Sequence, residues 1–538
     1  MAAWTSVSWR RGRVVVPSLV AGLLLALSVP PFGWWPLAFG GAAVLFWRLE
    51  GLRWRTRLGA GWVAGMGCFV PGLWWAASFN WYGAVVLMAV EALSMAVAAA
   101  LVPARRWRLG AYAGAFTLLE AVRLSWPFGG LPLGGVFLGQ ADGPLLETAR
   151  VGGPLLLTAL VWTGGAALCE LVLAAATGAG IARGGAARLP GARRGASRGA
   201  AGALGVFTVA AVAVAGALAP AGGPPTRRIT VALVQGGGRR GVSQRQVTPS
   251  TVFEAQVAAS AALLHANSPP ALVVWPEDVI RVGAHLEGTP QAAYVSALAR
   301  RLRATVVAGV TETISSRAFR NEAVAWGPSG RIVGTYEKNH RVPFGEYVPY
   351  RSFFSHFANL SAVPLDAVPG HGPGFLATPA APLGVMISFE VFFASRGRAA
   401  VRAGAQLLVV PTNTSSYATT QVPQMELAAD RLQAVAEGRD LAQAAPTGYS
   451  SVLDANGAVV ERSALGRRQV LRATVALRTG RTIYAQLGDL PVLVLAALAL
   501  GAGITGSALG ERRLRRLRRL RRRWHRAVSW RPWRRGYP

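Results

Sequence analysis

Residues 336–349 read YEKNHRVPFGEYVP, and they contain Lys338, the only lysine among 56 Lys and Arg side chains in a chain of 538 residues. A chain that otherwise uses Arg throughout keeps a Lys where a compact ammonium is needed, because the planar guanidinium cannot replace it as a point donor. The stretch closes a hairpin signature, AVAWGPSGRIVGTYEK at 323–338, with a polar Pro-Ser-Gly turn between β-branched arms. Short strand-like runs flank it on both sides: ITVALVQ (229–235), ALVVWPE (271–277), TVVAGVTET (305–313), LGVMISFE (383–390) and AQLLVVPTN (405–413). Apolar-periodic segments at 252–266 and 292–302 lie between the earlier runs, and YSSVLDANGAVVERS (449–463) reads as a second hairpin. Strands alternating with helices in this way predict an α/β layered domain over residues 227–486.

Outside that region the chain changes character. It is 52% hydrophobic and only 15% charged, too apolar for an ordinary soluble protein. A hydrocarbon core about 30 Å thick needs roughly 20 apolar residues in a helix. Seven candidate spans precede the α/β region, at 14–29, 34–47, 58–79, 84–102, 110–124, 151–175 and 200–218, and an eighth follows at 490–509. This divides the chain into a seven-span membrane domain (1–226), the α/β domain (227–486), an eighth span (487–510) and an Arg-rich tail (511–538). Fifteen Arg residues fall in alternate short loops and in the segment before the first span, among them Arg48, Arg105 and Arg193, whereas the opposite loops hold only Arg150, with Arg123 at a helix end. Arg-rich loops stay cytoplasmic, so both termini are expected inside and the α/β domain outside. The first span lacks an A-x-A site and more spans follow it, which argues against a cleaved leader. Trp34, Trp35, Trp74, Trp75 and Trp81 are read as interface anchors.

The net charge of +32 owes much to the tail, where thirteen Arg accompany one Glu. Directly beside a span, such a run is read as touching anionic head groups, each contact worth about 1 kcal/mol, and no nucleic-acid partner is expected. Cys68 and Cys169 both lie in candidate spans, so neither a disulfide framework nor a Cys-rich metal site is expected. No metal or redox cofactor is implied. QGGGRRG (235–241) lacks the Lys-Ser/Thr of a phosphate loop and is read as a plain loop. Oligomeric state is not legible.

Three strand-end motifs could carry chemistry: WPE ending in Glu277, the Lys338 stretch with Glu346 eight residues on, and ISFE with Ser388 and Glu390. In order and spacing they resemble the Glu, Lys and Cys triad of the nitrilase superfamily. More narrowly, Lys338, Asn339, His340, Val342, Pro343, Phe344, Gly345 and Glu346 are similar to the K-N-H-x-V-P-F-G-E motif of the apolipoprotein N-acyltransferases. GQADGP (139–144), PTN (411–413) and the arrangement of spans extend the resemblance over most of the chain.

The resemblance implies a polytopic membrane protein with an inserted α-β-β-α sandwich in the cytoplasmic membrane of a bacterium, its catalytic domain facing outward. It implies transfer of an acyl chain from a phospholipid to the α-amino group of a lipid-modified N-terminal cysteine on an apolipoprotein. Carried over by motif, Glu277 is the general base, Lys338 supports the oxyanion, Ser388 stands at the position of the nucleophilic Cys, and Glu346 and Glu390 assist. Acyl transfer needs a nucleophile beside a base and a fixed cation at the developing oxyanion. Ser388 replaces the family's Cys, Gln433 and Ala436 stand where the family has Arg and Glu, and its Trp is missing between Gly236 and Leu263. A catalytically silent lipid-binding relative and a membrane-anchored amidase are the alternatives that the sequence leaves open.

Overall fold

The computed structural model describes residues 2–104, 108–183, 189–238, 247–283, 285–356, 359–361 and 363–528. Arg105, Arg106 and Arg188, three of the fifteen Arg counted above for orientation, lie outside the described residues, as do residues 239–241 of the QGGGRRG segment and the end of the tail. Gly236, Gly237 and Gly238, at the start of that segment, lie outside any strand or helix.

Fourteen strands form among the described residues: β1 (Arg227–Gln235), β2 (Leu272–Val274), β3 (Ile280–Val282), β4 (Thr305–Thr313), β5 (Ala318–Trp326), β6 (Ile332–Glu337), β7 (Asp366–Ala367), β8 (Phe375–Ala377), β9 (Pro382–Val385), β10 (Leu407–Pro411), β11 (Leu441–Ala444), β12 (Ser451–Leu453), β13 (Val459–Arg462) and β14 (Gln469–Leu477). They build two sheets. One runs β14-β1-β2-β4-β5-β6, with β3 beside β4 and β7 beside β5; the other runs β13-β12-β11-β10-β9-β8. The expected hairpins are present, β5 antiparallel to β6 and β12 antiparallel to β13.

Val231, Leu233, Val307 and Ala325 of the first sheet pack against Leu383, Val385, Leu407 and Val409 of the second in one buried core. The outer face of the first sheet is covered by helices Pro249–Leu264 and Pro290–Leu302, through Leu263, Val295, Leu298 and Leu302. Both helices start on a Thr cap, Thr248 and Thr289, with Pro at the first turn. The outer face of the second sheet is covered by helix Val422–Glu437, through Met425, Ala429 and Leu432, and that layer continues without a break into the helical bundle. The result is an α-β-β-α sandwich whose second helical layer is shared with the bundle.

Two strands stop earlier than their apolar runs suggest. β2 ends at Val274, ahead of Pro276, which has no N–H for the ladder. β9 ends at Val385, and Ser388 then takes a left-handed φ of 50° that no strand accommodates. Hydropathy continues through both points, which is why the sequence overstates the strands. β3, β7, β8, β11 and β14 fall outside the runs and hairpins read from the sequence.

Among the described residues four helices are long and apolar enough to cross a membrane, within Trp81–Leu101, Leu146–Ala179, Gly195–Leu218 and Leu490–Leu509; Val14–Ser28 and Pro36–Leu49 are shorter apolar helices. Helices Trp54–Leu73 and Arg108–Arg123 occupy the third and fifth expected positions, but the first starts with Arg55 and Arg57 and the second contains Arg108, Glu120 and Arg123. Small residues let these helices approach closely: a Cβ on Gly65 would meet Ala92 Cα at 2.7 Å. Helix Ala149–Arg183 is broken at Gly152 and Gly153, ahead of Pro154. Gly153 has φ 61° and lies against the Tyr484 ring, where a Cβ would meet it at 2.4 Å. The break therefore makes room for the end of the α/β domain.

Candidate active site

Glu277 lies three residues past β2, where the chain crosses Gly309 of β4. The Gly309 N–H donates to Pro276 O at 3.1 Å, and a Cβ on Gly309 would meet Glu277 Cα at 2.4 Å. Only glycine permits that crossing. Lys338 follows β6 directly, and its backbone N–H donates to Asn321 O on β5 at 2.8 Å. Glu346 sits in the turn that follows, and its Oε2 accepts from the Val342 N–H at 2.8 Å.

These three side chains meet. Lys338 Nζ donates to Glu277 Oε1 at 2.8 Å and to Glu346 Oε1 at 2.7 Å. Asn321 Nδ2 donates to the same two oxygens, at 2.8 Å and 3.1 Å. Lys338 is 1% exposed and Glu277 5%. Burial opposes the charge on Lys338, but Glu277 and then Glu346 outweigh it and hold the ammonium's pKa above its ordinary value. Burial raises the Glu277 pKa, the ammonium opposes that shift, and the like charge of Glu346 adds to it. One ammonium between two carboxylates leaves a net negative charge, so a carboxylate remains available to accept a proton. The cation meanwhile stays fixed and charged.

Ser388 opens a short 3-10 turn, Ser388–Phe392, after β9. A non-glycine residue at positive φ between a strand and a helical turn presents its side chain outward at a sharp corner, the geometry used to expose nucleophiles. Among the described residues no hydrogen bond joins Ser388 to Glu277 or Lys338, whose bonds go to Asn321, Glu346 and each other. Glu390, two residues on, is fully buried and makes its hydrogen bonds outside that cluster. It accepts from Tyr336 OH (2.8 and 3.0 Å), from the N–H groups of Asn339 and His340 (2.9 and 3.0 Å), and from the Ile387 N–H (2.8 Å). Glu390 thus ties the Ser388 turn to the segment that carries Lys338.

Sequence similarity bears on what this geometry serves. Residues 21–167 match the model of the apolipoprotein N-acyltransferase N-terminal domain, and residues 230–484 match that of the carbon-nitrogen hydrolases. A protein of Mycolicibacterium smegmatis named apolipoprotein N-acyltransferase is 30% identical over 526 residues, covering 89% of this chain and 83% of that one. The chain belongs to the apolipoprotein N-acyltransferase family. A Caulobacter vibrioides protein of the same name is 29% identical over 532 residues, covering 92% and 95% of the two chains. Among solved structures, an amidase of Nesterenkonia sp. AN1 is 19% identical and covers 49% of this chain and 98% of its own, with a TM-score of 0.35.

The structure therefore brings Glu277, Lys338 and Glu346 into direct contact, and sets Ser388 and Glu390 on an adjoining turn. Four contributors escaped the sequence reading. Asn321, two residues before the expected hairpin, donates to both carboxylates beside Lys338. Tyr336 sits two positions before Lys338 and donates to Glu390, while its own oxygen accepts from Arg396 Nη2 at 2.6 Å. Gln433, noted only as a departure from the family, donates to the carbonyls of Val391 and Phe393 at 2.8 and 3.0 Å and so fixes the far end of the Ser388 turn. Glu426 is a further buried acid, 1% exposed, accepting from Thr412 Oγ1 at 2.5 Å; burial pushes its carboxyl up to about 8.

Proposed function

We propose that this chain moves an acyl chain from a membrane phospholipid to the N-terminal diacylglyceryl-cysteine amine of apolipoproteins, through an acyl-enzyme on Ser388. Ser388 Oγ adds to the ester carbonyl while its proton passes to Glu277, and Lys338 holds the oxyanion. The tetrahedral adduct collapses, the glycerol oxygen takes the proton from Glu277, and lysophospholipid leaves. The acceptor amine then attacks the acyl ester, gives its proton to Glu277, and Ser388 departs with that proton to restore the hydroxyl. Glu346 holds Lys338 in place, and Glu390 fixes the Ser388 turn. The observation that carries this reading is the buried contact of Lys338 with Glu277 and Glu346 in a family member matched along both its helical and its α/β parts.

The reading includes eight spans, a seven-span domain over 1–226, the catalytic domain over 227–486, an eighth span over 487–510 and a cytoplasmic tail over 511–538 that touches anionic head groups. Both termini lie on the cytoplasmic side of the membrane and the catalytic domain lies on its outer face, following the Arg distribution of the loops. Cys68 and Cys169 are both buried, so a cysteine placed at exposed Ser316 gives a clean label. It is expected to react with a membrane-impermeant maleimide on spheroplasts with an intact inner membrane; reaction only after permeabilisation contradicts the topology.

Purified protein, phospholipid and a synthetic diacylglyceryl peptide test the reaction. An N-acyl amide on the peptide is the expected product. Free fatty acid in its place indicates an amidase-like hydrolase, and neither product contradicts turnover.

A further inference from the structure

We propose that Arg123, at the end of helix Arg108–Arg123, is a positioning residue that holds Glu346 against Lys338 through the loop at residues 124–135. Arg123 is 3% exposed, yet none of its side-chain nitrogens lacks a partner. Nε and Nη2 donate to Glu120 at 3.0 and 2.7 Å, and Nη1 donates to Glu91, on the facing helix Trp81–Leu101, at 3.2 Å. The same guanidinium donates to the carbonyls of Leu131, Pro132 and Leu133 and lies over the Phe69 ring at 5.2 Å. Ionisable groups buried in a helical bundle of this kind are costly and call for a role. Here three consecutive carbonyls of one loop converge on a cation that two carboxylates hold still.

The loop is built to reach from that anchor to the catalytic turn. Gly130 has φ 94°, and a Cβ there would meet the Leu124 carbonyl carbon at 2.3 Å, so the chain folds back tightly and its apex falls on Phe128. The Phe128 ring meets Phe344 at 5.8 Å and Tyr350 at 6.3 Å, and its carbonyl accepts from Tyr347 OH at 3.2 Å. Phe344 and Tyr347 flank Glu346. The guanidinium is thus connected, through one internally hydrogen-bonded loop, to residues on both sides of the carboxylate that pairs with Lys338.

The consequence is electrostatic and has a sign. Burial raises the Glu277 pKa, Lys338 opposes this, and Glu346 adds to it. Arg281, Glu426 and Tyr417 also sense this cluster, and all three stay in place when the loop is released. Moving Glu346 away removes a like charge and leaves the ammonium, so Glu277 must then titrate at lower pH.

Because Lys338 is the only lysine, full-length protein carrying 13Cε-lysine gives a single side-chain resonance from the heart of the site. That resonance, followed against pH in detergent micelles, reports the carboxylate titration beside it without any turnover. Two variants are compared with the parent: Phe128→Ala, which leaves the ion cluster intact, and the triple variant Arg123→Met, Glu91→Gln, Glu120→Gln, which removes the cluster without stranding a charge. The acid-side step is expected to move to lower pH by about half a unit or more in both. Should the triple variant not fold, Tyr347→Phe takes its place. A step that coincides with the parent's in every folded variant overturns the role of Arg123. The inference rests on the proposed reaction only in making Glu346 useful: absence of acyl transfer by the parent would sink that reaction and leave the resonance readable.

Discussion

Replacing Lys338 by Met is expected to lower acyl transfer by at least about 10²–10³-fold, the usual loss when one oxyanion donor is removed. It also destabilises the protein by about 3–5 kcal/mol, because buried Glu277 and half-buried Glu346 lose the cation bonded to both. The two effects separate by construction. Adding Glu346→Gln to Lys338→Met removes one stranded charge, so it recovers part of the thermal midpoint and none of the rate. Lys338→Arg is expected to fail as well. Nζ lies 2.8 and 2.7 Å from its two acceptors at 1% exposure, and a longer, planar guanidinium fits neither the space nor the geometry. Initial rates with phospholipid and diacylglyceryl peptide, taken with melting curves in the same detergent, check all three variants. Full activity in Lys338→Met would remove the cation from the mechanism.

Ser388→Cys is expected to raise the rate on the order of 10²-fold, and Ser388→Ala to lower it by about 10⁴-fold or more. Proton transfer from a thiol of pKa about 8.5 to a carboxylate near 4.3 costs roughly 6 kcal/mol. An alcohol, close to water at about 15.7, raises that cost to on the order of 15 kcal/mol. Concerted attack avoids most of the difference, yet about 2.7 kcal/mol of it is enough for two factors of ten. Raising the Glu277 pKa by burial narrows the gap in the direction a serine needs. The half-buried corner at Ser388, with its φ of 50°, is kept by Gln433 and Glu390 and does not depend on the side chain. A thiol therefore enters a site already shaped for it. Equal rates for the parent and Ser388→Ala would contradict nucleophilic serine.

Much of this site was legible because composition made it so. Lys338 stood out in a chain whose other basic side chains of that class are all Arg, and Glu346 and Glu390 lay at fixed distances from it and from Ser388. Glu277 was visible only as a strand-end carboxylate, and its role came from the family resemblance. What stayed hidden depends on tertiary contact. An Asn inside β5 shows no periodicity that reveals two carboxylates opposite it, and Gln433 became meaningful only once the turn it holds was in view. Arg123 read as a helix-end charge, since nothing local says that three carbonyls and two acids of other segments converge on it. The same limit applies to extent. Hydropathy located helices at the expected positions of the bundle, but charges at Arg55, Arg57, Arg108, Glu120 and Arg123 leave two of them outside the four that are long and apolar enough to cross a membrane by themselves. Strand ends at Pro276 and Ser388 are set by a missing donor and a backbone angle, which apolar runs do not encode.

The central claim is a covalent acyl-enzyme on Ser388, and intact-peptide mass spectrometry after incubation with phospholipid in the absence of acceptor tests it most directly. The account expects one acyl chain on the peptide that contains Ser388, absent from Ser388→Ala, and discharged when a diacylglyceryl peptide is added, with the N-acyl amide appearing in step. An unmodified Ser388 peptide in protein that nevertheless makes the amide would contradict it.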